Sequence, residues 1–454
     1  MNLADPVTAA NTTPDDRLFA PGRRAACVGA VALISMLAFE SIAVATAMPA
    51  VAEALGGLSL YALAFGATLA TSVIGMTIAG QLCDKRGAYR ASLLGLAAFL
   101  AGLLLAGLAP SMTALVLGRA LQGLGTGVLG VALYVGVGQV VPAPLHPKLF
   151  AMFAGAWVLP GLVGPALASG LVHWLGWRWV FLAVAAAVPV AAALMLPSLR
   201  RGGGGTGATL HWGGLRWAAL ASGGALLLHG AGQHEGVGAG LLFAVGAVAA
   251  WLAARQLLPA GTLTAARGLP SVVLLRGFIA AAFASAEAFL PLLLTQHFGW
   301  SLTQAGIALS TGAVTWSIGS AIQARVQGDT ARRRLLPSGF ALAALGLAVV
   351  MAPVLVAALP AWLALLGWAV VGLGIGLSFP MLSVLLLKLS PPQSQGANTS
   401  SLQLSDALVS SAALGLAGLL FDPSTRQVLP VLVMACALAA AAAVVSPRAL
   451  PRAA

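Results

Sequence analysis

Apolar runs of about twenty residues follow one another along this chain, separated by short polar breaks. They lie at about 25–50, 58–82, 91–109, 112–139, 149–172 and 178–197, then at 215–232 and 237–256. Six more lie at about 272–295, 302–325, 335–356, 361–388, 398–421 and 428–446. About 20 residues of helix cross the hydrocarbon of a bilayer. Helix is also the only open architecture that satisfies every backbone group there. The two-residue alternation of a membrane barrel is absent. The pattern therefore predicts an all-α polytopic membrane protein with 14 transmembrane helices. The runs at 215–232 and 237–256 are the weakest, and a single re-entrant pair there would leave twelve spans.

The polar breaks divide the chain further. Residues 1–24 form a polar tail, and 25–197 an N-terminal group of six helices. Residues 198–271 are a linker that carries the two additional helices. It opens with Arg200, Arg201 and Gly202 to Gly205, a basic and glycine-rich stretch expected to be flexible. Residues 272–446 form a C-terminal group of six, and 447–454 a short tail. The groups echo each other: Ile74-Gly75 to Arg90 is matched by Ile318-Gly319 to Arg334, and Pro49 and Ser59 by Pro291 and Ser301. Two related halves around a central site are the architecture of alternating access.

Composition strengthens the membrane reading. The chain is 60% hydrophobic and 7% charged, where a soluble domain carries about 25% charged residues. The net charge of +12 is not a nucleic-acid signal, because the basic residues form no stripe and are not interleaved with aromatics. With the N-terminus in the cytosol, every Lys and Arg except Arg119, Arg178 and Arg426 falls on the inner side, as the positive-inside rule requires. This places both termini in the cytosol and the protein in the cytoplasmic (inner) membrane. Arg276 is counted here among the inner-side residues, leaving Arg119 as the one basic residue well inside a span. Cys27, Cys83 and Cys436 are isolated and suggest no disulfide framework.

One polar break is unusually charged: Gly80, Gln81, Leu82, Cys83, Asp84, Lys85, Arg86, Gly87, Ala88, Tyr89, Arg90. It resembles the loop between the second and third helices of the major facilitator superfamily, with Gly80, Leu82, Asp84, Lys85 and Gly87 matching. Arg119, Gln122, Gly123, Gly125 and Gly127 are similar to that family's fourth-helix motif. Gly161, Gly164 and Pro165 resemble the fifth-helix motif of its drug/proton antiporters, with Ala168 and Ser169 where two glycines often stand. Glu40, nine residues before Pro49, is similar to the first-helix motif of the fourteen-span drug exporters, where Asp is more usual. The resemblance implies the major facilitator fold, two six-helix halves with two extra central helices. It also implies secondary active export of small hydrophobic or amphipathic compounds in exchange for protons.

Ionisable groups at bilayer depth are costly and usually functional. Glu40, Glu287 and Asp406 are the acids well inside predicted spans, and with Arg119 they are the candidates for proton coupling. The competing reading is structural: acids that stay protonated or hydrogen-bonded between helices. Gly80, Asp84, Lys85, Arg86, Gly87 and Arg90 are candidates for a cytosolic gate, and Gly161, Gly164 and Pro165 for a close contact between the halves. Gln122, Trp157, Phe289, Trp316, Phe379 and Gln403 are candidates for the wall of a substrate cavity. No P-loop, metal-ligand cluster or catalytic constellation is present, so neither an enzyme nor an ATP-driven pump is expected, and no cofactor. The expected partners are a small hydrophobic or cationic substrate, protons and the lipid bilayer, with the chain working as a monomer. A carrier of one metabolite or lipid is the nearest alternative, and a non-transporting scaffold or receptor a more distant one.

Overall fold

The computed structural model describes residues 19–20, 23–142, 145, 149, 152–153, 155–201, 212–231, 236–326, 329–391, 395–422 and 424–450. The N-terminal tail to residue 18, the linker core 202–211 and residues 451–454 lie outside them. The described residues form fourteen long helices. They are α1 (Arg24–Ala54), α2 (Tyr61–Arg86), α3 (Ala88–Gly107), α4 (Met112–Val140), α5 (Val158–Leu175), α6 (Trp179–Arg201), α7 (Trp212–Ala231) and α8 (Gly236–Leu257). Then come α9 (Leu269–Leu292), α10 (Leu302–Arg325), α11 (Asp329–Leu355), α12 (Trp362–Leu389), α13 (Gln395–Leu420) and α14 (Leu429–Val445). Thirteen of them are long and apolar enough to cross a membrane. The exception is α7, whose Arg216, His229 and glycines lower its hydropathy. The protein is thus an all-α, multi-pass membrane protein.

The apolar run 149–172 is helical from its start at the described positions Leu149, Met152, Phe153 and Gly155, but it is interrupted. Ala156 and Trp157 form a turn, and regular helix resumes at Val158. Pro160 explains this, since it has no N–H to donate back to the carbonyl of Ala156.

Glycines bring the helices within each half into close contact. A Cβ on Gly123 would lie 2.1 Å from the Thr68 carbonyl oxygen and 2.3 Å from the Thr71 hydroxyl. In the second half, one on Gly372 would lie 2.2 Å from the Gly312 carbonyl oxygen and 2.4 Å from the Thr315 hydroxyl. One turn on, Gly127 and Gly376 meet the carbonyls of Ser72 and Trp316, each at 2.2 Å. The α2–α4 contact is therefore repeated as α10–α12, and the repeat seen in the sequence is a repeat of packing. With lipid on one side and protein on the other, apolar burial supplies little drive between helices, and such close backbone approach supplies it instead.

Among the described residues, several contacts join the halves. Along α5 and α10, the Gly306 Cβ position is 3.0 Å from the Pro165 carbonyl oxygen, and that of Gly161 is 3.1 Å from Ala313. The Ser169 and Thr303 hydroxyls bond at 2.8 Å. Along α2 and α13, the Ser411 hydroxyl donates to the Gly66 carbonyl. Across α2 and α9, the Tyr61 hydroxyl donates to the Ala288 carbonyl at 2.7 Å. Helix α7 lies over the α2–α13 seam. Its Ser222 hydroxyl donates to the Ala70 carbonyl at 2.6 Å, while Leu228 rests against Gly415. Helix α8 packs mainly on α7 and leaves most of its surface outward.

Candidate functional site

Among the described residues, a buried ion pair, a partly buried ion pair and a central cavity dominate the interior. Glu40 on α1 is 2% exposed and pairs with Arg119 on α4, which is 4% exposed. The Arg119 guanidinium is held from three sides. Its Nη1 donates to Glu40 Oε1 and, at 2.8 Å, to Gln122 Oε1, while its Nε donates to the Ala64 carbonyl at 3.1 Å. The Thr68 hydroxyl fixes the arginine's own carbonyl. The planar fork of arginine suits this arrangement, where the compact ammonium of lysine would not reach all three acceptors. Gln122, expected in the cavity wall, is instead buried in this cluster, and its amide nitrogen has no hydrogen-bond partner.

The second pair joins Arg276 on α9 to Asp406 on α13. Arg276 Nε donates to both carboxylate oxygens, at 3.0 and 2.9 Å. Its Nη1 reaches the Phe379 carbonyl at 3.3 Å and the Ser383 hydroxyl at 3.2 Å, and its guanidinium lies 3.2 Å from the centroid of the Phe379 ring. The expectation that Arg119 is the one basic residue inside a span is therefore corrected. Helix α9 starts at Leu269, so Arg276 sits seven residues in, about 10 Å along the axis. It serves as the partner of Asp406 rather than as a charge on the inner surface.

Asp406 also borders a cavity of about 340 Å³ between the halves. Leu69, Ser72 and Met76 line it from α2, and Trp157 from the start of α5. Ile279, Phe283 and neighbouring alanines line it from α9, Ile375 and Phe379 from α12, and Gln403 and Ser410 from α13. Of the expected wall residues, Trp157, Phe379 and Gln403 are there. Trp316 stands one layer behind, edge-on to Phe283 and Phe379 at centroid distances of 5.2 and 5.5 Å. Phe289 is not a cavity residue. It is fully buried among Tyr61 and Phe421, in an aromatic plug at the end of the bundle opposite the α2–α3 turn. Phe289 follows Ala288, the acceptor of the Tyr61 hydroxyl, and this fixes it in the plug. Phe283, missed in the sequence, is the cavity aromatic of that helix.

Glu287 is partly buried on α9, lies outside the cavity lining, and has no hydrogen-bond or ion partner among the described residues. Pro291, four residues on, cannot donate to its carbonyl, and a wider π-type turn over Leu293–His297 follows.

At the turn between α2 and α3, Gly87 takes φ 83°, which only glycine adopts without strain. Lys85 and Arg86 close α2, and Arg90 opens α3. Asp84 is exposed. The space beside Gly80 is open.

The sequence profile of the Major Facilitator Superfamily matches residues 28–414 and again 272–452. The chain belongs to that family, whose members are membrane carriers rather than enzymes. Among its relatives, it is 29% identical over 416 residues to a probable multidrug-efflux transporter of Mycobacterium tuberculosis, with 87% of this chain and 86% of that protein covered. It is 33% identical over 153 residues to the multidrug transporter protein MdtP of Bacillus subtilis. That match spans 34% of this chain and only 28% of the relative's length. Among solved structures, a D-xylose–proton symporter superposes with a TM-score of 0.68 at 14% identity, covering 94% of this chain and 98% of that one. A peptide transporter superposes at 0.66 and 18% identity, covering 94% and 92%. These likenesses are of fold.

Proposed function

We propose that this protein exports small hydrophobic or amphipathic compounds across the cytoplasmic membrane in exchange for protons, with both termini and the α2–α3 turn in the cytosol. The observation that carries the reading is the Glu40–Arg119 pair, an acid and a base enclosed in the first half of a carrier built to rock. At that depth a carboxylate is costly as a charge unless paired, and cheap as a neutral acid. Taking up a proton releases Arg119 from Glu40, and losing it restores the pair. The multidrug-efflux names of the relatives support drug-like substrates.

The state observed fits one step of such a cycle. The aromatic plug and the Tyr61–Ala288 bond close the outer end. The cavity lies toward the inner end, where Trp157 is about half-exposed at its rim. The Glu40–Arg119 pair is intact, as expected once the proton has left to the cytosol and substrate is awaited. Glu287, unpaired near the plug, is a second proton site in this reading. Asp84 and the basic residues around it act as the inner gate in the opposite state, by interaction with a helix end of the other half. The close α5–α10 contact at Gly161 and Pro165 keeps that seam shut while the rest moves, and the carrier works as a monomer; Gly164, expected at the same contact, faces Phe39 and Ile42 of α1 within the first half instead.

Reconstituted vesicles test the proposal. Uptake of several unrelated lipophilic compounds should follow an imposed pH gradient, and Glu40→Gln should abolish that dependence while leaving gradient-independent exchange. Transport indifferent to the pH gradient, or a fully coupled Gln variant, would overturn it.

A further inference from the structure

We propose that Asp406 is the seat for a cationic head on the transported molecule, and that Arg276 occupies this seat as an internal substitute while the cavity is empty. The inference rests on the export reading above and adds to it a substrate chemistry and an exchange step.

The pair is asymmetric in a way that sets the direction of exchange. Asp406 borders the cavity and Arg276 does not. The Asp406 side chain is 24% exposed against 13% for Arg276. Among the described residues, Asp406 accepts only from Arg276 Nε. Arg276 has other holds: the Phe379 carbonyl, the Ser383 hydroxyl and the face of the Phe379 ring. An incoming cation that takes Asp406 leaves Arg276 with a carbonyl, a hydroxyl and a π face. An anion that took Arg276 would have to pass Asp406 and would leave that carboxylate without a partner, which is the costly outcome for a partly buried pair beside an apolar cavity.

The surroundings suit an amphipathic cation. Phe283, Phe379, Trp157 and Met76 offer apolar and polarisable surface around the carboxylate, and Gln403 and Ser410 lie on the same helix face as Asp406. Buried aromatic faces attract a desolvated cation as well as an apolar body. A fixed carboxylate facing an empty cavity would be unstable, and a resident guanidinium removes that cost until the substrate arrives. Among the described residues the first half has no such exchange site, since Glu40 lies outside the cavity lining and the cation–ring contacts there do not include Arg119.

The test is binding to the purified full chain of tetraphenylphosphonium, whose charge cannot titrate, beside neutral triphenylphosphine oxide and anionic tetraphenylborate, at alkaline pH. Asp406→Asn should weaken the phosphonium by about tenfold or more and the neutral oxide by much less. Arg276→Gln should tighten the phosphonium several-fold, because the substitute is gone. Where Arg276→Gln does not fold, Arg276→Lys, which loses the two-oxygen contact from Nε, should tighten it in the same direction. Equal weakening by the Asp406 and Arg276 changes in folded protein would overturn the proposal in favour of a purely structural pair. Binding of tetraphenylborate that depends on Arg276 would overturn it in favour of an anionic substrate. If the parent binds both the phosphonium and the oxide but Asp406→Asn changes neither, this inference fails and the export reading stands. A parent that neither binds nor transports any probe sinks both.

Discussion

Trp368 stands in the second half where Arg119 stands in the first. Each lies four residues before the glycine that fits between the matching helices, Gly372 and Gly123. Each donates to a backbone carbonyl of the neighbouring helix, Trp368 Nε1 to Leu309 and Arg119 Nε to Ala64. Each also faces a side chain from the first helix of its half: Arg119 pairs with Glu40, and Trp368 stacks on Phe283 at 5.2 Å and 17°. One packing scaffold thus carries a charge pair in the first half and an aromatic pair in the second. This fits the proposed proton site at Glu40 in the first half and the apolar cavity wall that Phe283 contributes in the second.

The charge pair should be asymmetric under mutation. Removing one member of a buried pair costs about 3–5 kcal/mol when the other is left charged. Arg119→Gln leaves Glu40 free to take up a proton and become neutral, whereas Glu40→Gln leaves a guanidinium that cannot lose its charge with only the Ala64 carbonyl and Gln122. Thermal unfolding in detergent near neutral pH should therefore show a larger drop for Glu40→Gln than for Arg119→Gln. The double Gln variant should recover most of that stability without recovering proton-driven transport. An additive double variant would mean that the two side chains do not act as a unit.

Much of this architecture was legible in the sequence because the bilayer makes it so. Helix number, the division into halves and the depth of Glu40, Asp406 and Arg119 follow from run lengths and from the cost of charge in hydrocarbon. The repeat from Ile74-Gly75 to Ile318-Gly319 marks real packing, since Cβ atoms on Gly75 and Gly319 would meet the Leu124 and Leu373 carbonyls at 2.3 and 2.5 Å. Arg276 was misread because it lies near a helix start, where a basic residue usually marks the membrane surface, and hydropathy does not reveal its partner on α13. Phe289 is expected in the cavity wall while Phe283 stands there, for a rotational reason. They are six residues apart on α9, and an apolar run without strong polar punctuation does not say which face meets the cavity and which the plug. Carrying the Pro49-to-Pro291 repeat to Glu40, nine residues earlier, leads to Ala282, next to Phe283.

Tyr61→Phe should loosen the outer closure. The substitution keeps the ring packing with Phe65, Phe289 and Phe421 but removes the bond to the Ala288 carbonyl. A buried hydrogen bond of this kind contributes about 0.5–1.5 kcal/mol, so the outward-open fraction should rise by roughly two- to tenfold. Spin-label distances between the outer ends of α2 and α9 measure that fraction. An unchanged distance distribution would mean that the aromatic plug alone holds the end shut.

The loop between α13 and α14 should not contribute to the pH response. Asp422 accepts from the Ser424 hydroxyl and N–H and from the Thr425 hydroxyl. These bonds hold its carboxyl well below the usual range, at about 2, with the Ser424 hydroxyl the largest cause. A lowered value means that the contribution of the charged form is present above the unfolded value, near 4, and is lost only as pH falls toward about 2. The turn that carries Arg426 to the Gln296 amide therefore stays intact between about pH 5 and 8. Asp422→Asn should leave the shape of the transport–pH profile unchanged in that window, although it can alter the rate. A shifted midpoint would locate a coupled proton in this loop.

The seam between α5 and α10 gives the most direct test of how the halves move. Ser169 and Thr303 face each other at 2.8 Å between hydroxyls, close enough for cysteines at both positions to form a disulfide with little backbone movement. Gly161, Pro165, Gly306 and Ala313 pack backbone to backbone along the same line. Helices packed this closely slide or pivot only slightly before atoms overlap. If this seam is the axis about which the halves turn, the paired-cysteine variant should cross-link readily and retain a large part of its transport. Cross-linking Ala62→Cys to Gly418→Cys across α2 and α13, whose Cβ positions lie 3.3 Å apart, should instead stop transport, and reduction should restore it. If the Ser169–Thr303 cross-link also abolishes transport, reversibly, the two helices must separate in each cycle and the axis lies elsewhere in the bundle.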